Sequence, residues 1–121
     1  ILIALGTHRA GIFSNNDKLA SKVEIAGEKT GERVWRLPLG KEYDSEIDSN
    51  RADMKNIGST RYGGSIQAAQ FLKRFIINDT PWIHFDIAGV TWSNTTNKNN
   101  INNKGATAFG VRLVDQFLKG N

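Results

Sequence analysis

Cysteine is absent from the sequence. That one absence excludes disulfides, thiolate metal sites and a cysteine nucleophile, and it fits a reducing cytosol. No apolar run approaches the roughly 18–20 residues that span a bilayer. The apolar opening, Ile1 to Leu5, has no basic region before it and is too short for a signal peptide. It reads as the inside of an element and not as a true N-terminus. If it left an unpaired strand edge, the segment would tend to associate. Proline occurs twice; Pro38, with Gly40, and Pro81, after Thr80, each interrupt what precedes them.

What is present is ordinary for a folded domain. The 121 residues make one domain at most, with 39% hydrophobic and 23% charged residues. No internal repeat or linker divides them. The net charge of +4 and the pI of about 9.6 raise the question of nucleic acid. The basic side chains are dispersed, however. Lys18, Lys22, Lys29, Arg33 and Arg36 alternate with Glu24, Glu28 and Glu32, which is the pattern of a solvated mixed-charge surface and not of a groove tracking phosphates. Neither nucleic acid nor a membrane is an expected partner. The two sequons, Asn78-Asp79-Thr80 and Asn94-Thr95-Thr96, read as chance in a chain this rich in Asn.

Periodicity places the elements. Ala10 to Ser14 is a short apolar run. Ser14-Asn15-Asn16-Asp17 has the spacing of a helix start, and Leu19, Val23 and Ala26 recur at helical intervals up to a stop at Gly31. The pattern predicts a helix from Asn16 to about Thr30. A short polar helical turn falls within Asp44 to Asn50, and Ser59 to Gly64 is a loop by composition. Gly64-Ser65 opens a second helix, with Ala68, Phe71, Leu72, Phe75 and Ile76 as its expected core stripe. Trp82 to Ile87 reads as a strand covered on both faces, as in a layered α/β protein. A third helix is expected from about Ala106 to Leu118, burying Val111, Val114, Phe117 and Leu118. The Asn-rich tract from 93 to 104 has too little apolar surface to offset chain ordering and reads as a mobile surface loop.

Few residues present themselves for chemistry. His84 and Asp86, two apart on a strand, share a face and could form an acid–base pair or part of a metal site. The structural alternative is that Asp86 satisfies His84 or a nearby helix start. His8 has no sequence-local partner. Gly58 to Ser65 resembles a phosphate loop, but Gly64 stands where a Lys is required; a Gly-rich turn at a helix N-terminus remains, able in principle to hold an anion or carboxylate. The small pair Ala88-Gly89 closes the last strand, at the strand end where layered α/β proteins bind ligands.

Four phrases in fixed order carry a resemblance: Val34-Trp35-Arg36-Leu37-Pro38-Leu39, Ala52-Asp53-Met54-Lys55-Asn56-Ile57-Gly58, Gly63-Gly64-Ser65-Ile66-Gln67-Ala68-Ala69 and His84-Phe85-Asp86-Ile87-Ala88-Gly89. With Ala4-Leu5-Gly6, Ala10-Gly11-Ile12-Phe13-Ser14-Asn15 and Gly105-Ala106-Thr107-Ala108-Phe109-Gly110-Val111-Arg112, the chain resembles the C-terminal part of the leucyl (cytosol) aminopeptidase catalytic domain over nearly its whole length. The family's phrase has Gly where Ala108 stands.

The resemblance implies part of a three-layer α/β/α sandwich with a mixed sheet. It implies a cytoplasmic enzyme, typically a homohexamer, that uses two divalent metal ions (Mn or Zn) to release N-terminal residues from peptides with a free N-terminus. A metal-bridged water attacks the scissile carbonyl in such enzymes. The family's signature Asn-Thr-Asp-Ala-Glu-Gly-Arg and an upstream Lys/Asp cluster, which supply the ligands and the catalytic side chains, have no match here. The expectation is therefore a segment, residues 1–121, without catalytic or metal-ligating residues of its own and inactive alone. What carries over is substrate pocket: Ala88 and Thr91 on the S1 side, and Ile57 near the leaving group. The alternative is a non-catalytic binding module that recognises peptide N-termini or anions.

Overall fold

The computed structural model describes residues 1–94 and 104–120. Most of the Asn-rich tract, and with it the expectation of a mobile loop there, lies outside the described residues.

The chain opens on a single helical turn, α1 (Leu2–Leu5), and not on a strand. The Ile3 side chain points to solvent, the half-exposed Leu2 reaches Gly89, and the side chain of Ile1 lies against Gly11. Strand β1 (Ala10–Ser14) is buried at every residue. Helix α2 (Asp17–Thr30) follows and ends at Gly31 in the left-handed conformation, φ 73°. Its N-cap differs from the expected one: the Asn16 side chain accepts from the Leu19 N–H at 2.9 Å. The Ser14 hydroxyl is diverted to the Trp82 carbonyl at 2.6 Å, tying β1 to the start of the last sheet strand.

Strand β2 (Val34–Arg36) pairs parallel with β1, Ala10 opposite Val34. After a short helix α3 (Lys41–Asp44) and a 3₁₀ turn (Ser45–Ile47), an irregular loop runs to α4 (Gly64–Lys73). Strand β3 (Ile83–Asp86) then pairs antiparallel with β1, Phe13 opposite His84. The mixed sheet has the order β2-β1-β3. A two-residue ribbon, β4 (Trp92–Ser93) with β5 (Gly105–Ala106), precedes α5 (Val111–Lys119).

The layers follow from strand alternation. Ala10, Ile12 and Val34 face Val23 and Ala26 of α2 and Leu113 of α5, forming one core. Each fully covered aliphatic side chain there contributes about 1.5–3 kcal/mol. Gly11, Phe13, His84 and Asp86 occupy the opposite face, where Ser65 of α4 reaches Asp86. Helices on both faces of a mixed sheet give the expected α/β layering.

Sequence expectations for two helices fail in detail. Helix α4 ends at Lys73, short of the stop expected at Thr80-Pro81, and buries Gln67, Ala69 and Gln70 in place of the apolar stripe; Phe75, past the helix end, is 62% exposed. The reason is its neighbour, the acidic α3 and 3₁₀ segment, which offers carboxylates and so selects amide donors. Helix α5 begins at Val111, five residues later than expected, because Gly105 and Ala106 are held in the ribbon. Its fully buried residue is Leu113, whereas Val111 and Leu118 are exposed and Val114 partly so. Between ribbon and helix, Ala108 takes φ 54°. An L-residue in this region costs roughly 1–2 kcal/mol, which explains why the related phrase carries Gly there.

Candidate functional site

Ala88 and Thr91 lie on one turn at the carboxyl end of β3. The turn is closed by the Val90 N–H to the Ile87 carbonyl at 3.0 Å. Thr107 holds it from the far side: its N–H donates to the Thr91 carbonyl at 2.9 Å and its hydroxyl to the Val90 carbonyl at 2.6 Å. Beneath it, Gly89 is buried against the Gly6 carbonyl. A Cβ at that position would collide with backbone, so only Gly lets the loop after α1 come this close. With Gly89 and Val90 buried and anchored, Ala88 is presented to solvent and Thr91 is half-covered. The small side chain thus stands at the open end of the strand on a turn fixed by its neighbours.

Ile57 is elsewhere in the fold, on the loop between the 3₁₀ turn and α4, and is 79% exposed. That loop contains no helix or strand, yet it is tied down: the Lys55 N–H donates to the Ile47 carbonyl at 2.7 Å, and Ile47 is fully buried.

His84 and Asp86 do share a face, and their partners are structural. The His84 ring lies between those of Phe13 and Trp82, with centroids 6.0 and 6.2 Å away. Burial pushes its pKa below the usual histidine value, against the opposing pull of Asp86. One oxygen of Asp86 accepts the Ser65 hydroxyl in the first turn of α4, and the other lies 3.4 Å from the Ala88 N–H. At the glycine-rich helix start it is thus the Ser65 side chain that meets a carboxylate, and that carboxylate is the chain's own. Among the described residues no group of three or more His, Cys, Asp or Glu side chains could hold a metal ion.

Two charged centres escaped the sequence reading. Glu32 is 3% exposed, and one of its oxygens accepts the N–H groups of Gly110 at 3.0 Å and Leu113 at 2.9 Å. It thereby caps the start of α5 from the end of α2. The other oxygen pairs with Arg112 at 3.3 Å. A cavity of about 500 Å³ opens beside this pair, lined also by Gly89, Val90, Trp92 and Thr107. The second centre is Arg74, which bonds both Asp44 at 2.8 Å and Asp48 at 2.7 Å. The guanidinium holds the Asp44 carboxyl below its usual range. Neither had a local signal, since the partners are 26 to 81 residues apart.

Comparison with known proteins decides what this scaffold is. The profile of the cytosol aminopeptidase family, catalytic domain, matches residues 1–114. The chain belongs to the cytosol aminopeptidase family. It is 55% identical over its whole length to a probable cytosol aminopeptidase of Rhizobium meliloti, covering 24% of that protein. To a probable cytosol aminopeptidase of Rhodopseudomonas palustris it is 57% identical over 118 residues, covering 23% of it. Among solved structures, a tomato leucine aminopeptidase mutant superposes with a TM-score of 0.89 at 38% identity, over 99% of this chain and 22% of that one. The chain therefore spans about a quarter of the length of the aminopeptidases it matches.

Proposed function

We propose that residues 1–121 are the C-terminal segment of an aminopeptidase catalytic domain and furnish scaffold and substrate-pocket wall for it. The whole protein, on this reading, is a cytoplasmic homohexamer that uses two divalent ions, Mn or Zn, to release leucine and similar residues from the free N-terminus of peptides. The observation that carries the reading is identity above one half to named aminopeptidases across all of this chain. The described residues do not fit a dinuclear centre, since they gather no ligand set. No chemical step is therefore assigned to side chains here.

Their part is shape. Ala88, small and outward on a turn fixed by Thr107 and Gly89, leaves room for a bulky apolar side chain next to the strand end. Thr91, half-covered beside it, adds a polar edge, and Ile57 supplies an apolar wall toward the leaving group. The reading as an anion-binding module loses its support at the α4 start. The Ser65 hydroxyl is already given to Asp86, whose charge repels an anion.

The test is kinetic. The full-length protein is expected to hydrolyse leucine amide only with a divalent metal added. Ala88→Phe should lower kcat/KM for leucine substrates about tenfold or more by overfilling the pocket, with a smaller effect on glycine substrates. Metal-independent turnover, or an Ala88→Phe enzyme indistinguishable from the parent, would contradict the reading.

A further inference from the structure

The loop from Asp48 to Gly63 has no regular structure, yet three widely spaced points of it and its approach converge on one buried side chain. Gln67, 3% exposed, donates from its amide nitrogen to the Glu46 carboxylate, just before the loop. The same nitrogen donates to the Tyr62 carbonyl at the loop's far end, at 3.0 Å. Midway, Gly58 lies directly against the Gln67 amide, so close that a Cβ at 58 would overlap it. The residue before Gly58 is Ile57.

We infer that Gln67 is the clip that fixes this loop, and hence a positioning residue for Ile57 on the leaving-group side of the substrate cleft. The second half of the statement rests on the pocket reading of Ile57; the first half does not. The chemistry fits the task. One NH₂ group carries two donors, so a single amide can satisfy the loop's start and its end at once, and the bond to a carboxylate is the stronger kind. The side chain is rigidly placed because it projects from the first turns of α4, whose neighbouring Gln70 and Arg74 are also bonded to the α3 segment, at Asp44. The loop's other described anchors, Lys55 N–H to the Ile47 carbonyl and Arg74 to Asp48, both at 2.7 Å, hold its first half; beyond Ile57 the described ties apart from Gln67 are local, such as Lys55 to Ser59 at 3.0 Å.

The test uses Gln67→Met, which keeps length and packing and removes both donors, with Glu46→Gln as the milder second variant. Hydrogen exchange of the full-length protein should show amides of 48–63 exchanging about tenfold faster in Gln67→Met, while β1 and α2 stay at parental rates. Glu46→Gln, which still offers an acceptor oxygen, should raise exchange in the same loop by less. Unchanged loop exchange, or a uniform rise across the chain, would overturn the clip. In the full-length enzyme, Gln67→Met should raise KM for dipeptides with a bulky second residue while kcat on leucine amide holds. An equal loss on every substrate would overturn the positioning role. The clip is read without substrate and the pocket through Ala88→Phe, so failure of one is distinguishable from failure of the other.

Discussion

Glu32→Ala lowers the stability of the chain by about 3 kcal/mol. The carboxylate is 3% exposed and accepts two backbone N–H groups of α5 while pairing with Arg112. Removing it leaves two donors at a helix start without a partner, each carrying a desolvation cost of about 1–3 kcal/mol, and it removes a negative charge from the positive end of the helix dipole. The contribution of Arg112 is small by comparison, because its side chain is 39% exposed and solvent screens the pair. Relaxation and water entry recover part of the loss, which keeps the estimate near the middle of the range. Against a total of about 5–15 kcal/mol for a domain of this size, the change should lower Tm by roughly 10 °C. Glu32→Gln, which keeps one acceptor oxygen, should lose about half as much. Chemical denaturation of the three proteins decides the matter, and a Glu32→Ala chain as stable as the parent would show that α5 does not depend on this cap.

Phe13→Ala is expected to cost about 4 kcal/mol. Phe13 is 0% exposed at the centre of the middle strand, with its ring against that of His84. It sits on the opposite face from the Ile12 and Leu113 core, against the His84 ring held by the pairing of β3 with β1. Both the lost transfer energy and the cavity therefore count. Phe13→Leu, which fills most of the volume, should cost under half as much. The urea midpoint with its slope unchanged is the proper readout; a loss under 1 kcal/mol would mean that this face is loosely packed.

How much of this was legible in the sequence depends on the range of the interaction. Helix α2 was read almost to the residue, because its apolar spacing and its Gly31 stop lie within the helix itself. Strand β3 was visible as an alternating run, whereas β1 showed only as a short apolar run with no strand assigned to it. Helix α4 was read correctly at its Gly64 start, but it ends at Lys73, short of the stop expected at Thr80-Pro81, and it was turned wrongly. Phe71 and Leu72, with Phe75 beyond the helix end, form the better apolar stripe in the sequence, yet Gln67 and Gln70 are buried. Only the arrival of Asp44 and Glu46 from α3 and the 3₁₀ turn makes an amide the favourable choice there. The opening residues are apolar, yet within the described residues they form a single helical turn with no fully buried side chain. The site divides the same way. Ala88 and Gly89 at a strand end were visible from spacing, but the reason Gly89 is needed is the Gly6 carbonyl, more than eighty positions away in the chain. Glu32 gave no sign of its role, because its two N–H partners lie at 110 and 113. His84 and Asp86 kept their shared face and lost their candidacy, since Trp82, Phe13 and Ser65 account for both.

The most direct measurement is turnover and metal content of the purified 121-residue chain, with its fold verified by circular dichroism in the same sample. The chain is supplied with leucine amide and with Mn²⁺ or Zn²⁺, and bound metal is counted after desalting. The account predicts a folded protein that releases no leucine and retains no stoichiometric ion. Leucine release that depends on added metal, or two ions retained per chain, would contradict it, because the described side chains would then hold a centre that the account places outside them.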